Sequence, residues 1–140
     1  MSDVILYLNA SEDAKNAGDI WFELPDILRA DSRWECALVD VTLDCKFTPK
    51  RDSLYLCGDF LEDRGYIDQR RAPVLRRIHV RGKYKKYVSD TYTDPIYVPL
   101  RPYPGNRSRL RLLDQRLENV TFDENVSVTY VLRFRRLWVP

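Results

Sequence analysis

Nucleophilic catalysis of the Ser-His-Asp or Cys-His type requires a histidine, and this sequence contains a single one, His79. The residues around it are basic, and no acidic residue lies near it in sequence to orient its imidazole. Carboxylate pairs that could serve acid–base or glycosidase chemistry, such as Asp59 with Glu62 or Asp123 with Glu124, lie in turn-like sequence. Acidic residues are common in turns because they form local hydrogen bonds. The sequence therefore predicts a protein that is not an enzyme.

Glycine and cysteine spacing points to neither a cofactor nor a metal. The five glycines stand singly in turn-like sequence, whereas a phosphate-binding loop needs several at close spacing. Cys36, Cys45 and Cys57 contain no Cys-x-x-Cys pair, so a zinc site is not expected. We expect buried free thiols and no cofactor.

The strongest local bias is a basic segment, residues 70–86, which holds eight Lys or Arg and no acidic residue. Because clustered cations bind phosphates by releasing counterions, nucleic acid is one partner that this segment fits. An acidic protein surface is the other, since residues 1–69 hold 7 basic and 15 acidic residues while residues 70–140 hold 16 and 6. Such opposed halves would suit head-to-tail packing of identical subunits in a ring. The predicted contact residues of this segment are Arg70, Arg71, Arg81, Lys83, Lys85 and Lys86.

These side chains must be positioned by strands, because apolar and polar residues alternate from Val126 to Phe134 with the period of two that a half-buried strand requires. Similar runs begin near Val4, Ile20, Trp34, Leu54, Val74, Ile96 and Leu110. Turn-forming clusters lie between them at 9–18, 44–52, 62–71, 82–95 and 101–108. The nearest helical candidate, residues 25–29, is one turn at most.

Eight strands with almost no helix predict an all-β fold, an eight-stranded single jelly-roll β-sandwich that occupies the whole chain, 1–140, as one domain. An immunoglobulin fold is less favoured because Trp34 lies only two residues before Cys36. A closed up-and-down barrel stays open as an alternative. No apolar run approaches the roughly 20 residues of a membrane-spanning helix. Without a basic, cleavable leader at Met1 we expect the protein to stay inside the cell that makes it.

Four stretches carry a resemblance to a known family. They are FELPDILRADSRWECALVDVTL (22–43), LYLCGDFLE (54–62), APVLRRIHVRGKY (72–84) and IYVPLR (96–101). In order and spacing they resemble the penton, or minor capsid, proteins of Polinton/Maverick elements and adintovirus-like DNA viruses. The chain departs from the family pattern at Arg76 and Arg77, where that pattern is more apolar.

The resemblance implies a single jelly roll that forms the fivefold vertices of an icosahedral shell as a homopentamer beside the major capsid protein. It implies location in the virion, and in the host cell nucleus or cytoplasm during assembly. No catalytic, metal or cofactor residue follows from it. Because Tyr, Trp and Arg are favoured at interfaces, we predict subunit contacts in the loops and at the C-terminal end. The predicted residues are Tyr84, Tyr87, Tyr92, Tyr97, Tyr103, Arg135, Arg136 and Trp138.

Two other functions fit the sequence. The aromatic content suits a carbohydrate- or receptor-binding jelly-roll module, which would need a concave groove lined by exposed Trp or Tyr. The basic segment 70–86 suits a nucleic-acid-binding β-barrel, whose binding would weaken steeply with salt.

Overall fold

The computed structural model describes residues 3–12, 18–29, 33–44, 53–80, 87–120 and 126–137. Within them the chain forms eleven strands and one 3₁₀ turn at Asp26–Arg29, where the sequence predicts a single turn at most. The strands are β1 (Val4–Glu12), β2 (Asp19–Glu23), β3 (Trp34–Asp44), β4 (Ser53–Gly58), β5 (Gly65–Ile67), β6 (Arg70–Ala72), β7 (Val74–His79), β8 (Tyr87–Thr91), β9 (Val98–Pro99), β10 (Arg107–Leu113) and β11 (Val126–Arg136). Among these residues, no helix is long and apolar enough to cross a membrane.

Eight of the strands form two antiparallel layers. The first sheet has the order β1-β11-β3-β8, with β9 adding a short pairing to β3, and the second has the order β2-β10-β4-β7. The pairing is nested: of these eight strands the first pairs with the last, the second with the seventh, the third with the sixth, and the fourth with the fifth. This is the connectivity of a jelly roll, so the predicted fold class is confirmed.

The core lies between the sheets and follows the alternation of the strands. On β11 the inward residues from Val128 to Phe134 are buried, while Arg133 and Arg135 are exposed, as the sequence predicts. Phe60, just after β4, joins the layers: its ring centroid lies 5.5 Å from that of Phe22 on β2 and 6.2 Å from that of Phe134 on β11.

One predicted strand is wrong. The run near Ile96 forms only the two-residue β9, and the eighth long strand is instead β8, inside a segment predicted as a loop. Pro95 and Pro99 bracket the run near Ile96 and lack backbone donors, which limits pairing there. Ser89 and Asp90 give β8 a turn-like composition, but its pairing with β3 determines its conformation.

The predicted loop 62–71 holds a further difference, the hairpin of β5 and β6. Asp68 has a φ of 55°, which suits the first position of a two-residue hairpin turn. The hairpin packs against outward side chains of the second sheet and forms a second, small core. Its buried members are Cys57, Ile67, Ala72 and Leu113.

Strand β7 contains a β-bulge that the sequence pattern does not reveal. The register with β4 shifts so that Val74 and Arg76 oppose adjacent residues, which leaves Leu75 as the extra residue. The alternation predicts that Leu75 shares a face with Arg77 and His79. This is wrong, since Leu75 is buried in the core while the other two are exposed.

Candidate subunit-contact surfaces

The predicted contact residues are spread over the sandwich and do not form one site. Tyr97, Arg135 and Arg136 lie on or beside the first sheet, Tyr92 directly follows β8, and Tyr103 lies in the connection from β9 to β10. Tyr84 and Trp138 lie outside the described residues, as does the side chain of Tyr87.

Tyr97 and Arg135 contact each other on the first sheet. The guanidinium carbon of Arg135 lies 3.5 Å from the ring centroid of Tyr97, and the same guanidinium forms an ion pair with Glu35 on β3. A cation–π contact at such a partly exposed position contributes about 0.5–1 kcal/mol. Arg135 therefore links β11 both to β3, through Glu35, and to the segment before β9, through Tyr97.

Tyr92 anchors the chain after β8. Its backbone N–H donates to the carbonyl oxygen of Val39 at 2.9 Å, and the guanidinium carbon of Arg76 lies 3.8 Å from its ring centroid. Burial raises the pKa of Tyr92, and the negative charge of Asp90 raises it further. Arg136, at the end of β11, forms another cation–π contact: its guanidinium carbon lies 5.2 Å from the ring centroid of Trp34 at the start of β3.

Tyr103 differs from the other predicted residues because 92% of it is exposed. It stands between Pro102 and Pro104 and has a φ of 53°, a left-handed conformation that a non-glycine residue adopts at some cost. The loop thus holds an aromatic ring in solvent, close to the start of β10 in the chain.

Two of the predicted nucleic-acid contacts, Arg70 and Arg71, are exposed on the hairpin strand β6. Arg70 donates to the carbonyl oxygen of Arg116 at 3.2 Å, and Arg71 to that of Asp63 at 2.7 Å. Carbonyl oxygens thus position both guanidinium groups. Arg81, Lys83, Lys85 and Lys86 lie outside the described residues.

One side of the sandwich carries a surface that sequence reasoning missed. Its edge strands β1 and β2 expose large apolar side chains: Ile5 is 41% exposed, Tyr7 66% and Trp21 49%. The guanidinium carbons of Arg107 and Arg109 on β10 lie 4.9 and 5.0 Å from the ring centroid of Trp21. We call Trp21, Arg107, Arg109 and Arg111 the arginine–tryptophan patch.

The patch follows from strand alternation. Residues 107, 109 and 111 occupy every second position of β10 and face outward, while Ser108 and Leu110 between them are buried. Arg109 is fixed by Asp19 on β2, to whose carboxylate it donates from Nε at 2.6 Å and from Nη2 at 2.5 Å. This hydrogen bond raises the pKa of Arg109. The alternation in RSRLRLL was the signal available in the sequence.

Two outward aspartates lie near the opposite edge of the sandwich, beside edge strand β8. Asp40 and Asp44 lie on β3, which contains no Lys or Arg, and their cross-strand partners on β8 are Thr91 and Tyr87. Thr91 donates from Oγ1 to the carboxylate of Asp40 at 3.1 Å. We call Asp40 and Asp44 the aspartate patch.

The groups that could do chemistry are held in unreactive surroundings. Cys36 and Cys57 are free, buried thiols, as predicted, while Cys45 lies outside the described residues. Desolvation raises the pKa of Cys57 to about 12 and that of Cys36 well above its ordinary value. His79 contacts Arg77, whose Nη2 lies 3.5 Å from Nδ1 of the imidazole. Among the described residues, no group of three or more His, Cys, Asp or Glu could hold a metal ion.

No protein-family model and no curated protein matches the sequence. Among solved structures, the chain is similar to the crystal structure of the selenomethionine-labelled mavirus penton protein, with a TM-score of 0.66 and 8% sequence identity. The likeness covers 98% of this chain and 100% of that one. A structural likeness at such low sequence identity shows the fold. The predicted resemblance to penton proteins is therefore confirmed for the fold.

Proposed function

We propose that the chain is a penton-like vertex subunit, a minor capsid protein that assembles with copies of itself into a ring within an icosahedral viral shell. The observation that carries this proposal is the end-to-end likeness to the mavirus penton protein, which leaves neither chain with a substantial part unmatched. The ring would be a homopentamer set among copies of the major capsid protein. The protein would reside in the virion and, during assembly, in the nucleus or cytoplasm of the host cell.

The surface of the sandwich supports assembly. Ile5 and Tyr7 are exposed on the outer face of the first sheet and Trp21 on that of the second, and large aromatic side chains such as Tyr and Trp are enriched at protein interfaces. The opposite side of the sandwich carries the aspartate patch, so the two sides are unlike. Unlike sides favour head-to-tail contacts between copies, which generate rings when the rotation closes.

The side-chain chemistry suits a structural role better than a catalytic one. Both described thiols are protonated at neutral pH, and His79 has an arginine beside it where a catalytic triad would place a carboxylate. A carbohydrate-binding role would use an exposed aromatic ring. The ring of Trp21 is already in contact with Arg107 and Arg109, which leaves less of it for a sugar.

The proposal is tested by the mass of the protein in solution and by its incorporation into shells. We expect sedimentation analysis at rising concentration to show a species of about five times the 16.6 kDa chain mass. Coexpression with the major capsid protein of the same virus should yield particles that carry the chain at their vertices. A chain that stays monomeric alone and is also missing from the particles would contradict the proposal.

A further inference from the structure

We infer that the ring contact joins the arginine–tryptophan patch of one copy to the aspartate patch of the next. The inference rests on the proposed function as a ring subunit, and it names the two surfaces that meet and the chemistry that selects them.

The two patches are placed for a head-to-tail contact. The arginine–tryptophan patch lies on the outer face of the second sheet, on β10 and the edge strand β2. The aspartate patch lies on β3, beside the far edge strand β8 of the first sheet. Since β1 and β2 are the edge strands on one side and β7 and β8 those on the other, the patches occupy opposite sides and different layers. A contact between them repeats in one direction around a ring, as a heterologous interface does.

The arginines are ordered before any partner binds. Arg109 is held by Asp19 through two hydrogen bonds, and Arg107 lies against Trp21. Fixing side chains in advance lowers the entropy lost on association. Glu23 and Asp19 on β2 lie opposite Arg107 and Arg111, but among the described residues neither arginine forms an ion pair, so carboxylates of a neighbour can still bind them. Trp21 supplies the large, half-exposed ring that interface hot spots commonly contain.

The aspartates have the complementary character. Asp44 is exposed and Asp40 is half-buried, and in the described part of the chain neither forms an ion pair. Thr91 orients the carboxylate of Asp40, so this patch too is partly ordered. A second copy of the chain therefore fits the arginine–tryptophan patch, because it presents at its opposite side the carboxylates that guanidinium groups bind best.

Charge reversal on each patch tests the contact. We expect R107E/R111E and D40R/D44R each to raise the dissociation constant of the ring on the order of 100-fold, because like charges across an interface cost several kcal/mol. The quadruple variant R107E/R111E/D40R/D44R restores opposite charges at every contact. It should form rings again with itself, but should not join rings of the unmodified chain. The readouts are sedimentation velocity and native mass spectrometry of mixtures with isotope-labelled chain.

R70E/R116E is the matched control, because it reverses two exposed arginines that lie outside both patches and outside the loop of Tyr103, and it should leave the rings intact. If the unmodified chain forms rings and both double variants assemble equally well, the inference is overturned while the proposed function stands. Failure of the quadruple variant to assemble, with an unchanged melting temperature, would also overturn it. A double variant that loses binding to single-stranded DNA but keeps its rings would assign the arginines to nucleic acid instead. If the unmodified chain forms no ring even with its shell partner, the proposed function fails as well.

Discussion

A methyl group on Gly58 would lie 2.7 Å from Cε1 of Phe60, so the phenyl ring occupies the space that a side chain at position 58 would need. Because Phe60 packs against both Phe22 and Phe134, its position fixes the distance between the two sheets. Overpacking a filled core costs about 1–3 kcal/mol. We therefore expect G58A to lower the free energy of unfolding by that amount in urea denaturation.

Gly105 provides the control for this substitution. A Cβ there would meet nothing nearer than the carbonyl oxygen of Arg107 at 3.7 Å, an ordinary contact. G105A should change the free energy of unfolding by less than about 0.5 kcal/mol, as surface substitutions usually do. Equal losses for the two variants would mean that Phe60 moves freely and does not space the sheets.

The fold could be predicted because long strands show a clear alternation of apolar and polar residues in the sequence. β11 alternates from Val126 to Phe134, and β11 and β3 each have 11 residues while β1 has 9. Seven of the eight long strands accordingly start close to the predicted positions. β8 and the hairpin β5–β6 are short, and their conformation depends on partners distant in sequence. The bulge at Leu75 is invisible for the same reason, since it arises from the register between β4 and β7.

Two thiols should be inert in the folded protein. Burial raises the pKa of Cys57 to about 12 and keeps Cys36 protonated, and the thiolate is the reactive form. In a C45S background we expect both to react with a disulfide reagent at pH 8 only as fast as the protein unfolds, and both to react at once in urea. Fast labelling of either thiol without denaturant would contradict this.

Because of these two thiols, the stability of the folded protein should depend on pH in the alkaline range. In the unfolded chain a cysteine loses its proton near its ordinary pKa of about 8.5, whereas Cys57 when folded does so near 12. Between these two pKa values the unfolded state binds fewer protons than the folded state, so the free energy of unfolding falls as pH rises. C57A should remove part of that slope between pH 9 and 11 in urea titrations. An unchanged slope would show that Cys57 is not the group responsible.

The pairing of Asp19 with Arg109 should be measurable by a double-mutant cycle. The two side chains are 23% and 30% exposed and bonded in a bidentate manner, so screening reduces their coupling without removing it. Comparing D19N, R109M and the double variant in urea, we expect a coupling energy of about 1 kcal/mol that shrinks in 1 M salt. Additive losses would indicate that the pair only orders the patch surface.

The candidate surfaces were less predictable than the fold because exposure depends on three-dimensional neighbours. Tyr97 and Arg135 have the composition of an interface, yet they contact each other. Trp21 was assigned to a strand without regard to its face, and its arginine neighbours come from a strand more than 80 residues away in sequence. Register between strands, which brings these residues together, is set by the whole sandwich.

Tyr103 should contribute to assembly and not to folding. Its ring is exposed, and the loop that carries it leads into β10 at Arg107, within reach of the arginine–tryptophan patch along the chain. Y103A removes the ring and keeps a side chain in the left-handed conformation, whereas Y103G removes both. Since glycine adopts that conformation without strain but loses more entropy on folding, we expect each variant to unfold within about 1 kcal/mol of the unmodified chain. Both should raise the dissociation constant of the ring about tenfold in sedimentation equilibrium, as loss of an aromatic contact does.

Y66A is the control, because Tyr66 is 65% exposed on the hairpin and lies outside both patches. Rings of normal strength in Y103A and Y103G would exclude Tyr103 from the contact, and equal weakening in Y66A would mean that the effect is not specific to the loop.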